Sequence, residues 1–138
     1  MDRPLIYFLC TGNSCRSQMA EGFARQILGR RFDVVSGGIE PSRVNPLAIR
    51  VMAEAGIDIS HHESKPIDQD LLGRSQIAVT LCSDAEERCP LTPPQVRRLH
   101  WPLDDPARAK GSEEEVLAVF RRVRDEILRR IEDLAREI

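Results

Sequence analysis

Apolar positions along this chain follow two alternating rhythms. Leu5-Ile6-Tyr7-Phe8-Leu9 is an unbroken apolar run, the pattern of a strand buried on both faces. Beyond it Met19, Ala20, Phe23, Ala24, Ile27 and Leu28 recur at helical spacing and predict a helix with one apolar face. Residues 32–36 predict a second strand, ended by Gly37-Gly38. Asn45 before Pro46 predicts a capped helix start and Gly56 its stop, with Ala48, Val51, Met52 and Ala55 on the buried side. Residues 57–65 read as polar and irregular, with a short helical turn over 68–72. Residues 76–81 predict a third strand, 83–94 a connector rich in acids and proline, and 96–101 a fourth strand. After a loop over 102–111, Ser112 and Glu115 form a capping box that opens a long last helix. Its stripe is Val116, Phe120, Val123, Ile127, Ile131, Leu134 and Ile138.

Strands alternating with helices predict an α/β fold: one domain over 1–138, a four-stranded parallel sheet with helices on both faces. A chain of 138 residues suffices for such a core. Ligands of these sheets sit beyond the carboxyl ends of the strands, and Cys10, Cys82 and Asp105 all follow predicted strand ends. Composition narrows the partners. Twenty Lys and Arg stand against 22 Asp and Glu, a net charge of −2 without a basic patch, which argues against nucleic acid and membrane surfaces. Without an 18-residue apolar run or a signal-peptide pattern, a cytoplasmic protein is expected. In that reducing compartment the four cysteines are expected to be free, metal-bound or catalytic rather than two structural staples. His61, His62 and His100 are scattered, so neither a metal nor another cofactor is expected.

The chemistry concentrates in Cys10-Thr11-Gly12-Asn13-Ser14-Cys15-Arg16-Ser17, a tight loop between the first strand and the first helix. Such a loop aims backbone N–H groups inward at the positive end of a helix dipole, a seat for an oxyanion. Gly12 and Asn13 tolerate a left-handed backbone. Arg16 offers a bidentate fork to the anion. Cys10 stands at the mouth in this positive potential and is expected to be a thiolate nucleophile, with the Ser17 hydroxyl donating to its sulfur. Cys15 reads as a packed thiol.

The Cys-x5-Arg loop in this setting resembles the low-molecular-weight protein tyrosine phosphatase family. The string Cys-Thr-Gly-Asn-Ser-Cys-Arg-Ser-Gln-Met-Ala-Glu is similar to that of its redox branch, the thioredoxin-coupled arsenate reductases. Asp105 before Pro106 matches the family's general acid, but Ala107-Arg108 replaces the aromatic pair that follows it in the phosphatases. Asp104 reads as a solvated neighbour, and Trp101 as packed beneath the loop. Cys82 and Cys89 lie seven residues apart, two turns if helical, with sulfurs too distant to bridge without unwinding. A reductase needs such a pair to hold two electrons, and a phosphatase does not.

The resemblance implies a relay. Cys10 attacks arsenate, Cys82 attacks Cys10, Cys89 attacks Cys82, and thioredoxin reduces the resulting disulfide. It also implies a monomer whose substrate is a small oxyanion: arsenate, with phosphate or sulfate as competitors. Some members of the branch hold potassium beside the loop. Asn13, Glu21 and Ser36 match those ligands, while Lys65 stands where an acidic ligand occurs, so no metal is expected here. The alternatives are a phosphatase of the same family and a non-enzymatic thiol protein binding arsenite or a soft metal.

Overall fold

In a computed structural model, which describes residues 3–81 and 92–138, β1 (Leu5–Cys10) carries six buried residues in a row. It lies between β2 (Asp33–Gly38) and β3 (Ile77–Thr80), with β4 (Arg97–His100) beyond β3. All three pairings are parallel, giving the order β2-β1-β3-β4. Strand order therefore reverses at β1, and the loop that leaves it occupies the crevice where such sheets bind ligands.

The pleat of β1 separates two cores. Ile6, Phe8 and Cys10 face one side with Val34, Ile77, Val79 and Leu81. Covering them are α1 (Arg16–Leu28), α2 (Pro46–Glu54) and the long α4 (Glu113–Glu137). Tyr7 and Leu9 face the other side with Ala78, Val96 and Leu72 of α3 (Gln69–Gly73). Helices thus lie on both faces, as expected, with the three longer ones on the same side.

Local signals account for the helix ends. Asn45 accepts from Leu47 N–H ahead of Pro46, and Gly56 takes φ +82° just past α2. Ser112 and Glu115 form the reciprocal capping box that opens α4. Three expectations about faces need correction. Ile27 is 36% exposed and Ala55 is exposed, both at the rim of their stripes near a helix end. Leu117, not Val116, is fully buried; both lie one turn before Phe120, and packing against the sheet selects 117. Trp101 is buried, its ring 6.3 Å from that of Phe8.

The glycines at 37 and 38 do not end the second strand. They continue it to Gly38, because the loop after β1 crosses directly over them. A Cβ on Gly38 would lie 2.7 Å from Asn13 N and 2.8 Å from Thr11 O, both backbone atoms. Gly38→Ala is therefore expected to cost about 2 kcal/mol by overpacking and to distort the loop, weakening phosphate binding. Thermal unfolding and calorimetric titration with phosphate check both effects.

Candidate functional site

Between β1 and α1 the chain turns so that every carbonyl oxygen from Cys10 to Cys15 is hydrogen-bonded. Cys10 O accepts from Ile39 N, Thr11 O from Glu40 N, Gly12 O from Ser42 N and Ser64 Oγ, and Ser14 O from Asn45 N. Asn13 O accepts from Gln18 Nε2, and Cys15 O from Met19 N. In trans peptides each of these carbonyls points away from the N–H that follows it. Thr11, Gly12, Ser14, Cys15 and Arg16 join Cys10, Ser42, Asp105 and Ala107 around a cavity of about 230 Å³. Its size suits a small oxyanion. Asn13 supplies the left-handed residue, at φ +47°, whereas Gly12 does not have a positive φ.

A chain of hydrogen bonds fixes the sulfur's surroundings. Lys65 N–H can only donate, and it donates to Asn13 Oδ1 at 3.0 Å, which fixes the orientation of the Asn13 amide. Asn13 Nδ2 then donates to Ser17 Oγ at 2.8 Å and Ser36 Oγ at 3.0 Å. Each serine has one proton left to give. Ser36 directs its proton to Glu21 Oε1, and Ser17 Oγ lies 2.8 Å from Cys10 Sγ, a hydrogen bond in which either group can be the donor. Gln18, fully buried, ties the loop to the chain at Glu63 O and accepts from His62 Nδ1 at 2.9 Å, which places the His62 proton on Nδ1. Burial holds His62 below the ordinary imidazole range, so it is neutral.

Cys15 lies five residues from Cys10 yet is chemically different. Burial pushes its thiol up to about 12, so it stays protonated at neutral pH. The reading of Cys15 as a packed thiol matches this.

Arg16 has a side chain 9% exposed. It donates from one terminal nitrogen to Leu103 O at 3.0 Å and holds the other 3.6 Å from Asp105 Oδ2. Its Nε is buried without a hydrogen-bond partner among the described residues. A buried donor without a partner is costly, and Arg16 is also one of the residues that line the cavity. Asp105, one-third exposed at the cavity's lip, accepts from Ala107 N and caps a single 3₁₀ turn, Pro106–Arg108. Asp104 points outward to Arg122 at 3.1 Å. Cys82 and Cys89 lie outside the described residues.

Glu21, Ser36 and Asn13 do come together, but not as a cation's ligands. Asn13 turns its NH₂ group, a donor, toward Ser36. The Glu21 carboxylate already faces Arg25 Nε at 2.9 Å, Lys65 Nζ at 3.6 Å and His62 Nδ1 at 3.8 Å. An ammonium at that distance repels a second cation, so these residues do not fit potassium. Equal activity in potassium and sodium at matched ionic strength is expected. Saturable activation by potassium alone would contradict it. Lys65→Asp is the variant expected to introduce a dependence.

Sequence reasoning missed Gln18, Ser42, Ser64 and the Leu103 carbonyl. Nothing local distinguishes Gln18 from an exposed glutamine, and the others reach Gly12 and Arg16 from 30 to 87 residues away, only after folding.

Residues 5–138 match the model of the low molecular weight phosphotyrosine protein phosphatase family. An arsenate reductase of Bacillus subtilis strain 168 is 57% identical over 135 residues, spanning 98% of this chain and 97% of the relative. Among solved structures, an arsenate reductase in the phosphate-binding state has a TM-score of 0.79 at 38% identity, with 98% of each chain covered. A thioredoxin-dependent arsenate reductase of Corynebacterium glutamicum has a TM-score of 0.79 at 27% identity, covering 99% of this chain and 62% of that one. In sequence along nearly its whole length, and in fold, the chain belongs to the low molecular weight phosphotyrosine protein phosphatase family, on the side of its arsenate reductases.

Proposed function

We propose that this chain reduces arsenate to arsenite as a single cytoplasmic domain, a monomer regenerated by thioredoxin. The observation that carries the reading is the shared wall of Cys10 and Arg16. The Cys10 sulfur, hydrogen-bonded to Ser17, lines the same cavity as Arg16, a buried guanidinium whose Nε has no partner among the described residues. Close similarity to arsenate reductases, together with the Cys82/Cys89 pair in the sequence, favours reduction over phosphate-ester hydrolysis.

The steps balance as follows. The Cys10 thiolate forms a sulfur–arsenic(V) bond while Asp105 gives its proton to the departing oxygen, which leaves as water. The loop's N–H groups and Arg16 hold the remaining oxygens. Cys82, as the thiolate, attacks Cys10 Sγ. A disulfide forms, the sulfur–arsenic bond breaks, and its electron pair stays on arsenic, which departs as arsenite. Cys89 then attacks Cys82, freeing the Cys10 thiolate, and a dithiol of thioredoxin supplies the two electrons that reopen the Cys82–Cys89 disulfide.

Arsenate-dependent NADPH oxidation with thioredoxin and its reductase, run beside an aryl phosphate assay, tests the reading. Phosphate release without NADPH oxidation would replace it with the phosphatase alternative. Cys89→Ser is expected to yield one arsenite per protein and stop, with a Cys10–Cys82 disulfide found by peptide mapping. Sustained turnover, or a Cys10–Cys15 bridge as the main product, would remove Cys89 from the relay.

A further inference from the structure

Two arginines flank the Asp105 carboxylate, and only one belongs to the loop after β1. Arg16 approaches Oδ2 from within, at 3.6 Å. Arg108 Nε stands 3.7 Å from the same oxygen, with a side chain 86% exposed. Asp105 Oδ1 is occupied by Ala107 N–H, so both cations compete for one carboxylate oxygen. Among the described residues the Arg108 guanidinium has no other polar partner. A pair this exposed contributes little to stability. Its charge nevertheless stays beside the cavity's lip, next to Ala107, which lines the cavity together with Ser42. Both of those residues are small, so neither adds an apolar platform.

The charge balance gives Arg108 a task. Among the described residues Arg16 is the one guanidinium that lines the cavity, and a dianion entering there carries two charges against its one. We infer that Arg108 is the mouth's anion-capture residue: it leaves Asp105 for the outward oxygen of an incoming small oxyanion dianion. With Ala107, it sets a preference for inorganic dianions over aryl esters. The inference rests on the oxyanion seat proposed above and not on the redox relay. Arg108 acts on entry, so its removal lowers the rate of capture and the affinity while leaving later steps as they were.

Inorganic phosphate is the probe that separates this inference from the relay. Calorimetric titration of Arg108→Gln is expected to show phosphate affinity lowered about 10-fold, with a weaker dependence on ionic strength. Arg108→Lys should restore most of the affinity and Arg108→Glu should lose more than Arg108→Gln. In the coupled assay kcat/KM for arsenate should fall in parallel while kcat is kept, and the melting temperature should not move. Arg122→Gln removes another exposed cation, one that pairs with the neighbouring Asp104, and it should bind phosphate like the unmodified protein. Unchanged phosphate affinity in Arg108→Gln, or an equal loss in Arg122→Gln, would overturn the inference even if arsenate reduction is confirmed. A phosphate loss confined to the Arg108 variants upholds it even if arsenate reduction fails.

Discussion

With Cys82 replaced by serine, thioredoxin-coupled arsenate turnover is expected to fall to below about one-thousandth, the scale seen when a nucleophile is lost. A serine hydroxyl has the shape of the thiol but forms no disulfide, so the electron pair destined for arsenic has no donor. Ester cleavage would use Cys10, Arg16 and Asp105, and any slow aryl phosphate hydrolysis should survive in the same variant. Measuring both activities on one preparation gives the test its internal control. Full arsenate turnover in Cys82→Ser would end the relay. Loss of both activities together would instead indicate that the substitution damages the fold.

Arg16→Lys is expected to lower kcat/KM for arsenate about 100- to 1,000-fold, the range associated with removing a preorganised donor, although the charge is kept. Lysine has no equivalent of the Arg16 Nε, the buried donor without a partner among the described residues. Nor can one ammonium reproduce the planar fork that reaches Leu103 O and Asp105 together. Phosphate titration should show the same loss in binding, which distinguishes a defect of the seat from a defect of the relay. Activity near that of the unmodified protein would mean that charge alone suffices.

How far the sequence was legible follows from the range of the interactions. The run 5–9, the Asn45-Pro46 start and the Ser112/Glu115 box are local devices, and each appears where its residues predict. The Cys10-to-Ser17 loop was equally readable because strand, turn and helix are contiguous. Contacts made across the fold were not readable. Gly38 looked like a strand terminator because nothing near it announces that Asn13 and Thr11 cross 2.7 to 2.8 Å from where its Cβ would be. Leu103 contributes only a carbonyl, which every residue has, so no side-chain pattern marks it. In α4 the choice between Val116 and Leu117 is degenerate at helical spacing, and only the sheet beneath resolves it.

The seat after β1 is complete before anything enters it, since every carbonyl from Cys10 to Cys15 is already hydrogen-bonded. A finished seat weighs a visitor by charge and shape, and phosphate and arsenate are near twins in both. Under the proposed function the choice between them therefore falls after arrival. Phosphate takes up no electron pair from the second thiol and leaves as it came, whereas arsenic(V) accepts the pair and departs as a different species. In a phosphate-rich medium the penalty is a queue, not an error. Most visits end without reaction, and throughput depends on how quickly the rigid seat empties for the next visitor.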